Sequence, residues 1–351
     1  MTQIKTIAFF NNKGGVGKTT LACNFASWLS RKHDKKVIVI DCDPQANATQ
    51  LSLSNEQWDN IYEDINRSDS ETLLHVFQHF IEGNSTIRTD YKLHEAKNFK
   101  YSVIAAHPNL AKIEDKLSTS WRDFRASEPA GANRSIWLKN LCQSLQIEHE
   151  YEYAIIDMGP SLGALNRSIL LSCDAFITPV EPSLFSQYAL LNIGSWVTDI
   201  ISEYKRNRED LIREYPTKRG DFPEELPIIF GWLGYTIQQY FRKRYKSEQT
   251  IKSYEFYKEK IAESSNKLAT LSPPGVTSAE IGTIPYMFSL APRAQAAHKP
   301  IALLEVRDGL IGGQSQQRDK YIEQLDLVFD EIFQRIIILD KTVTTDKVVQ
   351  Q

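Results

Sequence analysis

The apolar positions of this chain fall into short unbroken runs separated by stretches of helical period. Ile4 to Phe10 is the first run, and its lack of polar alternation predicts a strand buried on both faces of a parallel sheet. A glycine-rich turn follows. The apolar-periodic stretch from Thr19 to about Lys32 predicts a helix, and the β-branched run Val37 to Ile40, ending at Asp41, predicts a second strand. Strand, turn, helix and strand in that order make a βαβ unit, which implies a parallel sheet covered by helices. The alternation continues, with strands expected at Tyr101–Ala105, Tyr153–Ile156, Ala175–Pro179, Ile228–Leu233 and Gly282–Ile284. Helices are expected at about Ser70–Glu82, Ser135–Gln146, Leu165–Ser172, Tyr188–Arg206 and Arg318–Ile337. The pattern reads as a single α/β domain over residues 1–340: a doubly wound, mostly parallel sheet with helices on both faces. Three stretches stand out as insertions: polar, mixed 54–100; 121–133, whose Pro and Gly give it loop chemistry; and charged 205–272, with two helical candidates around a central strand. The polar tail, 341–351, is expected to fray.

Composition narrows the class without fixing it. With 351 residues, 42% hydrophobic and 24% charged, the chain is globular and long enough to bury a sizeable core. The net charge of -3 means that any contact with nucleic acid must come from a local basic patch. Cys23, Cys42, Cys142 and Cys173 are far apart with no CxxC spacing, so reduced, buried thiols are expected rather than a disulfide framework or zinc site. The opening residues run at once into the glycine-rich turn, so no secretory signal is expected. No uncharged apolar run reaches about 18 residues. The expectation is a soluble, cytoplasmic protein with no membrane contact.

The candidate chemistry begins in the turn Asn12-Lys13-Gly14-Gly15-Val16-Gly17-Lys18-Thr19-Thr20. Glycines at 14, 15 and 17 let backbone N–H groups converge on an anion, because no Cβ obstructs them. The helix that follows points the positive end of its dipole at the same place. Lys18 is placed to reach the β- and γ-phosphates of a nucleotide, and the Thr19 hydroxyl to ligate Mg2+. The bland alternative is a glycine turn with solvent-exposed lysines. Two further carboxylates end the second strand at Asp41 and Asp43, and another ends the run Tyr153 to Asp157. Carboxyl ends of parallel strands are where open α/β sheets bind ligands. Taken alone, an Asp-x-Asp could equally be a solvated turn.

The two-lysine pattern x-K-G-G-x-G-K-T-T resembles the deviant Walker A loop of the ParA/MinD ATPases, and the resemblance extends over most of the chain. Asp41-Cys42-Asp43-Pro44-Gln45-Ala46-Asn47 is similar to that family's switch I, and Asp157-Met158-Gly159-Pro160-Ser161 to Walker B running into switch II. Later segments match in order: Ser102 to Leu110, Ala175 to Ser183, Ile284-Pro285-Tyr286, Ala291-Pro292 and His298-Lys299-Pro300-Ile301. The resemblance implies a P-loop NTPase fold, ATP and Mg2+ as cofactors, and hydrolysis of ATP to ADP and phosphate. It implies that Lys13 crosses a homodimer interface to the partner's nucleotide, that Lys18 serves the protomer's own, and that Asp43 orients or activates the attacking water. Asn12 to Thr20 would hold the nucleotide, Pro285 and Tyr286 its base, and Thr19, Asp157 and, at the outer shell, Asp41 the metal. Gly159 stands where the family has proline, which predicts a looser switch.

The resemblance is closest to the partition (ParA) branch, with no helix-turn-helix domain before the phosphate loop. A ParB-like or other stimulating protein partner and location in the bacterial cytosol or on the nucleoid would follow. Arg242, Lys243, Arg244 and Lys246, interleaved with Tyr240, Phe241 and Tyr245, could contact DNA phosphates non-specifically with strong salt dependence. The same cluster could be a solvated helix face balanced by Glu248, Glu255 and Glu259. The last helix carries Glu323, Asp326, Asp330 and Glu331, which suits a closing core helix better than a membrane-surface one. A regulatory or positioning ATPase acting on a protein complex (in secretion, polysaccharide synthesis or phage defence) without DNA stays open as an alternative. A phosphotransferase on the same fold is a third reading, disfavoured by the Asp-x-Asp-Pro-Gln segment.

Overall fold

Short, β-branched segments that cannot satisfy their backbone alone pair into one eight-stranded sheet. The computed structural model describes residues 3–64, 69–238, 248–286 and 289–349. Its strands are β1 Lys5–Phe9, β2 Val37–Asp41, β3 His94–Ala96, β4 Tyr101–Ile104, β5 Tyr153–Asp157, β6 Ala175–Val180, β7 Trp232–Gln238 and β8 Glu280–Ile284. They lie in the order β3-β4-β2-β5-β1-β6-β7-β8. Every neighbouring pair is parallel except β3–β4 at one edge. The principal helices are α1 Lys18–Lys32, α2 Asn47–Ser52, α3 Asn55–Tyr62, α4 Leu110–Arg125, α5 Pro129–Ser135, α6 Trp137–His149 and α7 Ala164–Leu170. They continue with α8 Leu184–Glu214, α9 Glu248–Ser264, α10 Leu290–Ala297 and α11 Gln314–Val349.

The period-two alternation of side chains splits the interior into two cores. Ile7, Phe9, Val39 and Ile155 face α1 and α11, where Phe25 and Phe329 pack together. Ala8, Phe10, Ile40 and Ile156 face the opposite layer, with Leu110, Trp137, Ile169 and Ile193. Burial on both faces explains why these strands read as continuous apolar runs. All four cysteines are buried and free. Among the described residues no helix is long and apolar enough to cross a membrane.

Several expected elements move. The helix expected over Ser70–Glu82 is broken into two single turns, Leu73–Val76 and Gln78–Ile81, because Thr72 forms a parallel bridge with Ala105. Residues 121–133 are not a loop but the end of α4 and most of α5. Pro129 opens α5, and Gly131 allows close helix contact: a Cβ there would lie 2.6 Å from the Ser120 carbonyl oxygen. The strand expected at Ile228–Leu233 starts later, at Trp232, since Pro227 initiates a 3-10 turn through Phe230. The last helix does not end near Ile337: no glycine or proline interrupts Gln314–Val349, and the segment expected to fray continues it.

Candidate nucleotide site

β1 lies between β5 and β6, and the loop leaving it rises at the carboxyl edge of the sheet, where successive connections diverge to the two sides. Asn11 anchors this loop. Its buried Nδ2 donates to the Pro179 carbonyl at the end of β6 (2.7 Å), and its Oδ1 accepts from the Lys13 N–H (2.9 Å). Gly15 and Gly17 have φ of 75° and 82°, left-handed values that favour glycine. A Cβ at Gly14 or Gly15 would meet nothing within 4 Å, so the mouth of the loop is open. The N-terminus of α1 has neither a side-chain cap nor an acidic residue in its first turn. Its free N–H groups are therefore available to an anion.

Inside the loop, Lys18 is buried and its Nζ donates to the Lys13 carbonyl (3.2 Å). Burial lowers its pKa below the usual lysine value, opposed by the charges of Asp157 and Asp43. Thr19 Oγ1 donates to Asp157 Oδ2 (2.7 Å), while Asp157 Oδ1 is buried with no hydrogen-bond partner. Asp41 is fully buried. Its Oδ2 accepts from the Thr49 N–H (2.8 Å) and hydroxyl (2.7 Å), and its Oδ1 from the Asp43 N–H (3.2 Å). Asp43 Oδ1 accepts from the Gln45 N–H (3.0 Å) and stands 3.4 Å from where a Cβ on Gly159 would lie. Burial pushes the Asp157 carboxyl well above the ordinary range and the Asp41 carboxyl up to about 7.

This arrangement fits a divalent cation brought in with a nucleotide. The orphaned Asp157 oxygen and the Thr19 hydroxyl lie together, and the charges of Asp157 and Asp43 act on the buried Lys18 ammonium. Among the described residues no group of three or more His, Cys, Asp or Glu is placed to hold a metal alone, so phosphate oxygens would complete the shell. Of the expected metal residues, Thr19 and Asp157 meet directly, whereas Asp41 is engaged with α2 through Thr49.

A family model described as an AAA domain (AAA_31) matches residues 4–210. The chain belongs to the ParA family of deviant Walker A ATPases. It is 30% identical over 198 residues to the virulence plasmid ParA family protein pGP5-D of Chlamydia psittaci, covering 56% of this chain and 64% of the relative. The chain thus spans less than two thirds of that relative's length. It is 24% identical over 250 residues to the chromosome partitioning protein ParA of Caulobacter vibrioides, covering 71% of this chain and 74% of that protein. A crystal structure of protein DIP2308 from Corynebacterium diphtheriae superposes with a TM-score of 0.72 at 29% identity, covering 95% of this chain and 99% of the other. A plasmid partition protein from Borrelia burgdorferi bound to AMPPNP shares the fold, with a TM-score of 0.52, 16% identity and coverage of 95% and 100%.

Within this ParA-family site the second lysine does not reach outward. Lys13 Nζ donates to Glu181 Oε1 and to Ser183 Oγ (3.1 Å), just beyond β6. Pro285 and Tyr286 follow β8, three strands from β1, and Tyr286 is 50% exposed. Arg242, Lys243, Arg244 and Lys246, with the aromatics Tyr240, Phe241 and Tyr245, lie outside the described residues. Sequence reading assigned no role to Glu181, Ser183, Gln238, Asn166 or Glu114. Gln238 ends β7 with its amide nitrogen buried, unpartnered and 2.8 Å from where a Cβ on Gly17 would lie. Sequence reading ended this strand at Leu233, so the place of Gln238 at its carboxyl end was missed; for Glu114 and Asn166 there was no signal, because their contacts depend on helix packing.

Proposed function

We propose that this chain is an ATP-hydrolysing switch that dimerises on binding ATP and works in plasmid or chromosome partition. The observation that carries the reading is the open glycine cradle with Lys18 beneath it and Thr19 paired to the half-satisfied Asp157. When bound, MgATP supplies the phosphoanhydride and the cation that polarises it. Asn12 to Thr20 hold the phosphates, Lys18 neutralises the β- and γ-oxygens, and Thr19 and Asp157 hold the cation, with Asp41 behind them. Asp43 orients the attacking water, and Gly159, against that carboxylate, places the second switch beside it. Pro285 and Tyr286 flank the base. Lys13 leaves Glu181 and Ser183 and crosses to the nucleotide of the second copy.

A stimulating protein partner acts on this dimer, and the basic cluster at 242–246 gives it non-specific contact with DNA. The net charge of -3 favours a second reading, in which the dimer acts on a protein complex without DNA. Analytical ultracentrifugation with MgATP and with MgADP tests the switch: a dimer with ATP alone is expected, and a monomer in both would refute it. Titration of duplex DNA with MgATP at two salt concentrations separates the two readings. Binding at low salt that is lost at high salt supports partition; no binding at either supports the protein-complex reading.

A further inference from the structure

Gly159 in place of proline predicts a loose second switch, yet the structure holds this segment from two sides. From within, Asn166 Nδ2 donates to the carbonyls of Gly159 and Ser161 (2.8 Å each), and Asn166 is buried. From outside, Glu114 on α4 reaches over the end of the segment. Its Oε1 accepts from the Ala164 N–H and its Oε2 from the Leu165 N–H (3.0 Å). These are N–H groups at the start of α7, which have no partner inside the helix. The fit is close: a Cβ on Gly163 would lie 1.8 Å from Glu114 Oε1. Gly163 has φ -87°, open to any residue, so the absence of a side chain there serves the carboxylate and not the backbone.

α4 is itself braced. Trp121 Nε1 and Arg125 Nη2 both donate to Glu203 of α8 (2.9 and 2.5 Å), and the Arg167 guanidinium of α7 lies 5.3 Å from the centre of the Trp121 ring. The seven residues from Asp157 to Gly163 are therefore fixed at one end by β5 and at the other by a carboxylate on a supported helix. Gly159, two residues from Asp157, rests against Asp43 within this span.

We propose that Glu114 is a positioning residue that latches the second switch, so that Gly159 stays against Asp43 and Asp157 stays on Thr19. This inference rests on the proposed hydrolysis of ATP. Glu114 acts through the α7 N–H groups. A charge-assisted pair of hydrogen bonds favours the ordered switch over alternatives that bind ATP equally well but do not align Asp43. Loss of the latch therefore lowers kcat and leaves KM.

Two variants of the full chain test this by independent routes. Glu114→Gln removes the charge and keeps the N-cap residue, and Gly163→Ala displaces an intact carboxylate while also weakening the N-cap, where alanine is poorer than glycine. Each is expected to lower kcat for MgATP about tenfold, with KM and ATP affinity within about twofold. Each should also speed amide exchange across 158–165 about tenfold while 110–125 keeps its protection. An unchanged kcat in either variant, unchanged exchange across 158–165, or a loss of kcat matched by loss of ATP affinity would overturn the latch. If the wild-type chain hydrolyses no ATP, the functional reading fails, and the exchange measurement alone decides whether the latch exists.

Discussion

The four strands β2, β5, β1 and β6 and the flank formed by β7 and β8 do different work in one sheet. The central strands run in unbroken register, with Asp41 beside Asp157 and the phosphate loop rising next to them. The flank is irregular. Register shifts occur between Phe176 and Ile177 and between Tyr235 and Thr236, and Gly234 adopts φ +117°. A buried arginine repairs the irregularity: Arg335 of α11 donates to the carbonyls of Leu233 (2.7 Å) and Glu280 (3.1 Å) and to Glu331 (2.7 Å). The family match also stops at residue 210, before the flank begins. Regular parallel pairing fixes groups that must be aligned to fractions of an ångström for phosphate chemistry. The irregular flank adds to its strand pairing the side-chain hydrogen bonds of Arg335.

This contrast can be broken most sharply at the centre. Lys18→Ala is expected to reduce ATP hydrolysis by about 10² to 10³, measured as steady-state phosphate release. A reduction of only a few-fold would mean that the loop is not the phosphate site. On the flank, Arg335→Met should lower stability by about 1–3 kcal/mol through the Leu233 carbonyl, since the Glu280 carbonyl keeps the Ser278 hydroxyl as a donor; the loss is seen in denaturant unfolding, with ATP affinity nearly unchanged. Loss of ATP binding in that variant would show that flank and centre are not separable.

A third effect concerns protons. Burial raises the Asp41 carboxyl to about 7 and the Asp157 carboxyl above its ordinary value, so both bind protons more tightly in the folded chain than a free aspartate does. A cation needs the ionised form, and protons must leave when it binds. Affinity for MgATP should therefore strengthen as the pH rises above the ordinary carboxylate range, by up to about tenfold per unit for each proton released. Calorimetric titrations across that range should show this slope flattened in Asp157→Asn; a slope unchanged by the substitution would remove Asp157 from the metal. The smallest effect belongs to the tether on Lys13. Its Glu181 carboxylate is 45% exposed, and a pair of that kind contributes about 0–1 kcal/mol. Glu181→Gln should accordingly ease ATP-dependent dimerisation no more than about fivefold, read from the concentration midpoint in sedimentation.

The centre was legible in the sequence for a physical reason. Glycines at 14, 15 and 17, Lys18, Thr19 and the aspartates at strand ends are local features whose spacing alone constrains geometry. Buried parallel strands announced themselves as apolar runs. What sequence did not show depends on distant packing. Pro129 and Gly131 looked like loop residues until α5 met α4, and Thr72 broke an apparent helix by bridging to Ala105. The Glu114 latch joins residues 50 apart, and the partners of Lys13 lie 168 and 170 residues away.

The central claim is that the two lysines of one loop serve two nucleotides, Lys18 its own and Lys13 that of a second copy. Sedimentation of Lys13→Ala with MgATP, alongside a direct measurement of ATP affinity, tests it most directly. The account predicts ATP binding within a few-fold of wild type and no ATP-dependent dimer. An ATP-dependent dimer as stable as that of the wild-type chain would contradict it.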